Sequence, residues 1–587
     1  MSKLSRREFV YMMAMLGATP VFANSHTRMT DTKKLEDYYK LKPFGNARFM
    51  HMTDSHAQLL PVYFREPSVN LGFFSNFGKP PHIVGEKLLD YYGIKGNKRL
   101  EYAYSCVNFE KHAKVMGKVG GFAQIKTVVD YLKESFGADK TLLLDGGDTW
   151  QGSATALYTR GKDMVGAMNL LGVDVAVGHW EFTYKAEEVL ENVKELKAEF
   201  LAQNIFVKED SMMNGVEAYD EDTGHAFKPY TIKKMGNARV AIIGQAFPYT
   251  TIANPQRFIP DWTFGIKEDS MQEIVNKIKA EEKPDAIIVL SHNGFDTDKK
   301  MAEVVSGIDF IMGGHTHDGV PEAVPVKNAN GTTYVCNAGS NGKFLNVLDL
   351  DIQKGKIKDF KFTLLPIFSD LIPENKEMKK YIEDVRLPFL KELTRPIATT
   401  EQTLFRRGNF NGSWDQIICD ALLEVKEAQI SLSPGFRWGT SVMPGQTITF
   451  DDLMTQTAMT YPETYARDIK GEDIKAILED VADNLFNEDP FYQQGGDMVR
   501  TGGISYKINP TAKMGERITD IVLTKTGEKL DASKSYKVAG WSTVGAQSEG
   551  EPVWETVETY LKNVKHITNV KVDTPDIIGI KGNPGII

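Results

Sequence analysis

Cysteine is scarce in this chain of 587 residues, which contains only Cys106, Cys336 and Cys419. Three scattered thiols exclude a disulfide framework and a cysteine-based zinc site, and at most one disulfide can form. A basic excess is also lacking, because 69 Lys and Arg against 78 Asp and Glu give a net charge of -9. We therefore expect neither nucleic acid nor membrane as a partner. Any anion bound by this chain must be held by a few local cations or metals.

Long apolar runs are lacking too, since no stretch of about 18 apolar residues follows the N-terminal segment. That segment contains Ser5-Arg6-Arg7-Glu8-Phe9, an apolar region over 10–16 and the small-residue site Val21-Phe22-Ala23. This arrangement resembles a twin-arginine export signal, the alternative being an amphipathic N-terminal helix. We expect a signal peptide over residues 1–23, export to the periplasm and a soluble mature protein.

The rest of the chain has the composition of a globular protein, with 42% hydrophobic and 25% charged residues. Its length exceeds what one core supports, so at least two domains are predicted. From about residue 45, short β-rich runs alternate with amphipathic helical stretches, which indicates an α/β class. The predicted strands are Ala47–Met52, Thr141–Leu144, Val173–Val177, Val240–Gly244, Ala286–Leu290 and Phe310–Met312.

Breaks in this alternation give the domain limits. We predict a first domain over 24–368, interrupted by a proline- and aromatic-rich insertion over 61–118, which is either a docking surface or a solvated loop. A charged helical linker follows over 369–394. A smaller α/β domain then covers 395–587 and ends in an extended tail; Ser413 is the expected N-cap of its first helix.

Histidines and aspartates follow the predicted strands, where sites assemble in open α/β sheets. These residues are Asp54, His56, Asp148, His179, His292, His315 and His317. Each taken alone has a structural explanation, as a turn former or a core histidine. Together they provide two carboxylates and five imidazoles, too many for one tetrahedral zinc. Two divalent metals sharing one carboxylate fit better, and such a pair activates water and stabilises a tetrahedral oxyanion.

The order of these motifs, D-x-H, GGD, G-x-x-E, SHNG and GGHTH, resembles the calcineurin-like dimetal phosphoesterases, specifically the two-domain 5'-nucleotidase superfamily. The resemblance implies a four-layer α/β/β/α domain joined by a helical linker to a smaller α/β substrate domain. It also implies that Asp54, His56, Asp148 and His317 hold one metal, while Asp148, His179, His292 and His315 hold the other. Asp148 would then bridge the two metals.

Three positions depart from the nucleotidase pattern Gly-Asn-His-Glu-Phe-Asp, which reads Gly178-His179-Trp180-Glu181-Phe182-Thr183 in this chain. His179 replaces an asparagine ligand, whereas Trp180 replaces the catalytic histidine and Thr183 its supporting aspartate. Indole cannot titrate, so the site is suited to a leaving group that needs no proton. A thiol, with a pKa near ~8.5, leaves as an anion.

This variant motif, the export signal and the early insertion resemble the SoxB family of thiohydrolases in bacterial sulfur oxidation. That resemblance implies two Mn²⁺ ions, and hydrolysis that releases sulfate from a cysteine S-thiosulfonate on the carrier protein SoxYZ. A periplasmic 5'-nucleotidase or phosphodiesterase is one alternative, and a non-catalytic metal-stabilised scaffold is another.

Catalytic and substrate-binding roles are expected for a few residues beyond the ligands. His179 and Trp180 would lie at the reacting centre, with Trp180 forming an apolar wall. In the second domain, Arg437 is the leading candidate for binding a sulfonate, because guanidinium offers a bidentate fork to two oxygens. A surface arginine stacked on Trp438 is the alternative. Arg500 is a further substrate-binding candidate beside the glycine cluster 495–503, which we interpret as hairpin turns.

Overall fold

The computed structural model of the chain describes residues 39–545 and 547–587. The predicted signal peptide, residues 1–23, lies outside the described residues. Two six-stranded sheets form the first domain. In spatial order, one sheet contains Lys356–Pro366, Phe344–Gln353, Ala47–Met52, Thr141–Asp145, Val175–Ala176 and Glu199–Phe200. The other contains Val324–Asn328, Gly331–Asn337, Phe310–Gly313, Ala286–Ser291, Ala238–Gln245 and Tyr230–Met235.

Side chains alternate between the two faces of each strand, and this places the sheets face to face. Phe49 and Leu144 of the first sheet share a buried cluster with Ile242 and Ile288 of the second. Met50, on the opposite face of its strand, packs in a separate cluster with outer helices. The result is the four-layer α/β/β/α arrangement, as predicted.

Helices cover the outer faces of both sheets. Against the first sheet lie Phe122–Phe136, Ala154–Thr159, Lys162–Leu171 and Lys185–Glu195. Against the second lie Glu268–Lys277, which continues as a wider turn to Glu282, and Phe295–Val304. Shorter helices are Glu209–Met213 and Thr250–Ala253, and a two-stranded ribbon pairs Ile205–Val207 with Trp262–Phe264.

The insertion is packed structure rather than a solvated loop. It contains the helices Gly85–Tyr92, Lys98–Tyr104 and Phe109–Met116. Leu89 and Tyr104 are buried in the cluster between the sheets, where Tyr104 stacks on Phe344 with ring centroids 5.1 Å apart. Each helix has no more than eight residues, which is too short for a clear helical period in the sequence.

The linker helix Lys376–Arg386 packs on the first domain and is followed by short turns over 387–389 and 390–393. The second domain then contains the helices Ser413–Val425, Phe450–Thr457, Gly471–Phe486 and Val553–Val564. Its central sheet has the order Thr464–Lys470, Ser535–Trp541, Ile430–Ser433 and Arg500–Gly502.

Two smaller sheets complete this domain. One contains Thr447–Thr449, Pro396–Thr400 and His566–Ile567, and the other contains Ile518–Leu523, Ile504–Ile508 and Asp576–Ile577. The N-cap expected at Ser413 is wrong. Gly412 is the cap residue, and the Ser413 hydroxyl instead donates to Thr403 O at 3.0 Å.

The C-terminal tail runs back to the insertion of the first domain. Asn70 N donates to Gly585 O at 2.7 Å, and Val84 N donates to Pro584 O at 3.0 Å. Cys106, Cys336 and Cys419 are buried free thiols. Among the helices of the described residues, none combines the length and hydropathy needed to cross a bilayer.

Candidate metal centre

The seven predicted ligands lie on loops at the ends of five strands. Asp54 and His56 follow Ala47–Met52, while Asp148 and His179 follow the next two strands of the first sheet. A further set, from the second sheet, consists of His292, His315 and His317. Because the two sheets are stacked, these loops meet at one edge of the domain. Residues 263 positions apart in sequence (54 to 317) therefore share one site.

Two overlapping groups of four side chains result. Asp148, His179, His292 and His315 form one, and Asp54, His56, Asp148 and His317 form the other; within each group the ligand atoms lie within 4.8 Å of one another. Asp148 belongs to both groups, which is the bridging position that the resemblance implies.

Distances around Asp148 show how compact the site is. Its Oδ1 lies 3.2 Å from His179 Nδ1, and its Oδ2 lies 3.1 Å from His292 Nε2 and 3.5 Å from His56 Nε2. Asp54 Oδ1 lies 3.2 Å from His317 Nε2. Two carboxylates thus sit among five buried imidazoles.

Hydrogen bonds outside the cluster set the tautomers of two histidines. His56 Nδ1 lies 3.2 Å from Gln151 O, and His292 Nδ1 lies 2.5 Å from Gly146 O. A carbonyl can only accept, so each Nδ1 carries a proton and each Nε2 faces the site, where a metal can take up its lone pair.

Electrostatics favour cations at this position. Burial lowers the pKa of His56 to about 4, and burial also lowers the pKa values of His179, His315 and His317. Burial alone would raise the pKa of Asp148, but the neighbouring imidazoles hold it well below its usual range. Neutral imidazoles around an ionised carboxylate are the protonation states that metal binding requires.

His292 differs from the other imidazoles of the site. Burial alone would lower its pKa, but the carboxylates of Asp148 and Asp54 outweigh burial and raise it to about 10. Without metal, a proton on His292 therefore supplies positive charge between the two carboxylates. A divalent ion held by this group would supply that charge in place of the proton.

Unsatisfied donor and acceptor atoms test whether metals fit. Several buried ring nitrogens have no hydrogen-bond partner among the described residues, namely His179 Nε2, His292 Nε2, His317 Nδ1 and both nitrogens of His315. Buried polar atoms are ordinarily paired, so this concentration of unpaired nitrogens needs an explanation. Divalent ions in the two groups would account for His292 Nε2 and for one nitrogen of His315, and they suit the mixed nitrogen and oxygen donor set.

Backbone strain is concentrated on the same loops. Five of the seven ligands have positive φ, namely Asp54, His56, Asp148, His315 and His317. This region is uncommon for residues with a side chain and typically marks functional sites. At Gly314, an added Cβ would lie 2.8 Å from Asp54 Oδ2, so glycine is needed for the loop to approach the ligand.

Glu181 was singled out from the sequence only as part of the G-x-x-E motif, and its role is to position ligands. Its carboxylate accepts from His179 N at 2.7 Å, Thr149 N at 2.7 Å and Asp148 N at 3.2 Å. One buried side chain therefore fixes two ligand-bearing loops. Sequence spacing does not reveal this role, because three of its backbone donors lie more than 30 residues away.

An aromatic cavity of about 370 Å³ opens onto the metal ligands from the second domain. Its aromatic walls are Trp180, Phe247, Phe436, Trp438, Tyr461, Tyr465 and Trp541. Trp180 and Trp438 meet edge to face with centroids 5.2 Å apart, and Phe436 stacks on Trp438 at 4.0 Å. Trp180 thus lies beside His179 as an apolar wall, at the predicted position.

Arg437 also lines this cavity next to His315, and its side chain is 10% exposed. Its Nη2 donates to Gly496 O at 2.6 Å, its Nη1 donates to His315 O at 3.4 Å, and its Nε lies 3.4 Å from Asp497 Oδ1. The alternative of a surface arginine is therefore wrong.

Arg500 does not lie where a substrate-binding residue is expected. It is fully buried behind the cavity and does not line it; its guanidinium lies 3.2 Å from Asp497 Oδ2 and 3.5 Å from Asp415 Oδ2. Its contact with Asp497, the acid that faces Arg437, makes it a supporting residue. The glycine cluster nearby also differs from expectation, because Gln494, Gly495 and Gly496 line the cavity rather than only forming turns.

Comparisons with known proteins agree with this geometry. Residues 396–556 match the family model described as the C-terminal domain of 5'-nucleotidase. The solved structure of the sulfate thiohydrolase SoxB from Thermus thermophilus, in complex with glycerol, superposes with a TM-score of 0.85 and 34% identity, covering 92% of this chain and 98% of that one. The chain belongs to the SoxB family of the 5'-nucleotidase superfamily.

Relatives found by sequence are mainly nucleotidases. The 5'-nucleotidase of Bos taurus is 26% identical over 75% of this chain and 78% of its own length. A trifunctional nucleotide phosphoesterase of Bacillus subtilis is 29% identical over 56% of this chain, but this chain spans only 22% of that protein. A SoxB-family chain with a candidate dimetal site is therefore a hydrolase of this superfamily; its substrate is a separate question.

Proposed function

We propose that this hydrolase releases sulfate from a cysteine S-thiosulfonate carried by the periplasmic sulfur-carrier protein SoxYZ. A water oxygen bonds to the terminal S(VI) atom and the S–S(VI) bond breaks. The bond electrons remain on the sulfane sulfur, so Cys–S–S–SO₃⁻ and water give Cys–S–S⁻, hydrogen sulfate and a proton. The superposition on a solved sulfate thiohydrolase supports this choice.

Trp180 is the observation that carries the proposal. It is buried at the rim of the metal ligands, with its ring centroid 5.0 Å from that of His179. Its indole cannot protonate a leaving alkoxide, whereas a persulfide sulfur leaves as an anion without such help. Thr183 supplies a hydroxyl where nucleotidases have a supporting carboxylate, and that hydroxyl hydrogen-bonds to Thr460 Oγ1 at 2.5 Å.

The chain's own residues hold the substrate and the ions. Asp54, His56, Asp148 and His317 would hold one divalent ion, and Asp148, His179, His292 and His315 the other. When bound, such ions lower the pKa of a coordinated water and neutralise charge on a tetrahedral oxyanion. The aromatic cavity would surround a sulfur chain with apolar side chains, and Arg437, which lines it, would offer positive charge to the oxyanion. We propose Mn²⁺ for both ions on the family resemblance.

A 5'-nucleotidase is the second candidate, favoured by the matched C-terminal domain and by the nucleotidase relatives. Nucleotidases clamp the base between two aromatic side chains of this domain. Here Phe436 and Trp438 stack directly on each other at 4.0 Å, so this pair leaves no slot for a base. The aromatic cavity is better suited to a narrow sulfur-bearing arm.

The deciding experiment measures sulfate release from thiosulfonate-loaded SoxYZ and phosphate release from AMP by the same manganese-loaded protein. We expect sulfate release, one ¹⁸O per sulfate from H₂¹⁸O, and AMP hydrolysis at least a hundredfold slower. Fast AMP turnover without sulfate release would support the nucleotidase. Two bound Mn²⁺ per chain with neither activity would support the scaffold. Fractionation of cells tests the periplasmic location separately.

A further inference from the structure

A second cavity of about 80 Å³ shares His315, Arg437 and Gly495 with the aromatic cavity. We call it the polar cavity because arginine, asparagine and histidine side chains line it, together with apolar residues such as Leu71 and Phe295. Asn293, Thr316 and Arg407 line the polar cavity but not the aromatic one. A cavity needs roughly 15 Å³ to hold one water molecule, so the polar cavity has room for a small tetrahedral anion. The metal site therefore has a neighbouring chamber distinct from the aromatic cavity.

Arg407 is the main reason to assign a ligand to this polar cavity. It is only 5% exposed, yet its Nε has no hydrogen-bond partner in the part of the chain that the structure describes. Its Nη2 makes long contacts, 3.4 Å to Thr316 O and 3.6 Å to Asp318 Oδ1. A guanidinium has five N–H donors, and leaving a charged donor unpaired in a buried site is costly. An anion in the polar cavity would satisfy it.

Four acidic residues line the same cavity, namely Asp296, Asp318, Glu488 and Asp497. Asp296 is paired with His82 at 2.9 Å and with Lys299 at 2.9 Å, and it also accepts from Asn76 at 2.7 Å. Asp318 accepts from Asn70 Nδ2 at 3.0 Å in addition to its contact with Arg407. Asp497 lies 3.4 Å from Arg437 and 3.2 Å from Arg500, and Glu488 is exposed to solvent. The carboxylates that are not exposed therefore have local partners, whereas Arg407 retains donor capacity.

The proposed reaction supplies an anion of the right kind. Sulfate forms at the end of the substrate farthest from the carrier protein, so it is released at the deepest point of the aromatic cavity. The other product remains covalently attached to the carrier, whose arm still fills that cavity. A separate site for sulfate next to the metal ligands would therefore not compete with the arm for space.

We infer that the polar cavity binds sulfate at Arg407 and Arg437, beside the metal site and apart from the aromatic cavity that would take the carrier arm. Arg437 is the shared element because it lines both cavities. The bidentate fork of guanidinium matches two oxygens of a tetrahedral anion. This inference rests on the proposed function for the identity of the anion.

Direct binding tests the site without turnover. We expect calorimetry to show one sulfate bound per manganese-loaded chain, and Arg407→Gln to weaken the Kd about tenfold or more. Arg239→Gln, which removes an exposed arginine paired with Glu282, is the matched control and should leave the Kd unchanged. Thermal unfolding and metal content verify that each variant is folded and loaded.

The location of bound sulfate and its independence from the carrier arm are tested by two further measurements. Crystals of the full chain soaked with selenate should show an anomalous peak beside Arg407, and sulfate should inhibit turnover noncompetitively against the carrier. Binding unaffected by Arg407→Gln, a peak only among the metal ligands, or competitive inhibition would each overturn the inference. So would a tenfold preference for phosphate over sulfate. Failure of sulfate release with intact Arg407-dependent sulfate binding would instead contradict the proposed function alone.

Discussion

Gly495 of the second domain lies directly against His315 of the metal site, so closely that a Cβ on Gly495 would overlap the His315 ring. The φ of Gly495 is +80°, a conformation that other residues rarely adopt. This contact couples the position of the second domain to a metal ligand. Both residues line the aromatic cavity and the polar cavity.

Gly495→Ala should therefore displace His315 or the loop 493–497. We expect reduced metal content and at least a tenfold loss of sulfate release, measured by mass spectrometry of bound metals and by the carrier assay. Gly515→Ala is the matched control, because Gly515 has a φ of +90° but a Cβ added there would meet no described atom within 4 Å. Gly515→Ala should lower the free energy of unfolding only through backbone strain, by about 1 kcal/mol or more, and should keep its metal. If Gly495→Ala and Gly515→Ala have the same metal content and the same rate of sulfate release, the Gly495–His315 contact does not control the metal site.

Glu181→Gln tests ligand positioning. The carboxylate accepts four backbone N–H groups, from Asp148, Thr149, Trp150 and His179. An amide offers one acceptor oxygen, so two or more of these donors lose their partner. We expect metal affinity to fall about 10- to 100-fold, the range typical of outer-sphere partners. Competition with a chelator measures this metal affinity. As a control, Glu188→Gln changes a partly exposed residue paired with Arg160 and should leave the metal affinity unchanged.

Asp148→Asn tests the bridge. Because Asp148 belongs to both ligand groups, removing its charge weakens both sites at once. We expect metal analysis to find at most one ion per chain, with sulfate release reduced to background. Two retained ions together with activity would show that Asp148 does not bridge.

Much of the metal site was predictable because its ligands lie next to short strands rich in apolar residues. The strand Ala47–Met52 has the predicted bounds, and Asp54 and His56 follow it directly. Residues whose role depends on the docking of the two domains were not predictable in this way. Arg407 lies in a loop without a motif, and its donors face a cavity that forms only when the insertion and the second domain meet. Gly495 likewise gains its importance from His315, which lies 180 residues earlier.

Asp163 gives the chain a pH-dependent stability away from the metal site. Burial raises the pKa of this carboxyl to about 6, above the ordinary value of 3.8, despite hydrogen bonds from Thr159 and Met164. A raised folded-state pKa means that the stabilisation is present below about pH 4 and is lost as the pH rises through 6. Above pH 6 the buried charge should cost on the order of 3 kcal/mol.

Asp163→Asn removes this titration. We expect the thermal midpoint of the variant, relative to the unmodified chain, to be higher at pH 7.5 than at pH 4.5. Asp269→Asn, at an exposed position in the first turn of Glu268–Lys277, should show no such difference between the two pH values. A difference of opposite sign would mean that Asp163 is stabilised as an anion.

Trp180 and Thr183 together should determine the leaving group. Trp180→His alone supplies an imidazole, but Thr183 still lacks the carboxylate that would orient it, so we expect AMP hydrolysis to rise only slightly. Trp180→His combined with Thr183→Asp restores the pair, and general acid–base assistance is worth about 10² to 10⁴ in rate. Phosphate release from AMP should therefore rise at least a hundredfold in the double variant, while sulfate release falls as the apolar wall is lost. Trp180→Phe keeps an aromatic wall without an acid, and it should retain most sulfate release with no gain on AMP. If the double variant gains nothing on AMP while its metal content is intact, residue 180 does not set the choice between sulfur and oxygen leaving groups.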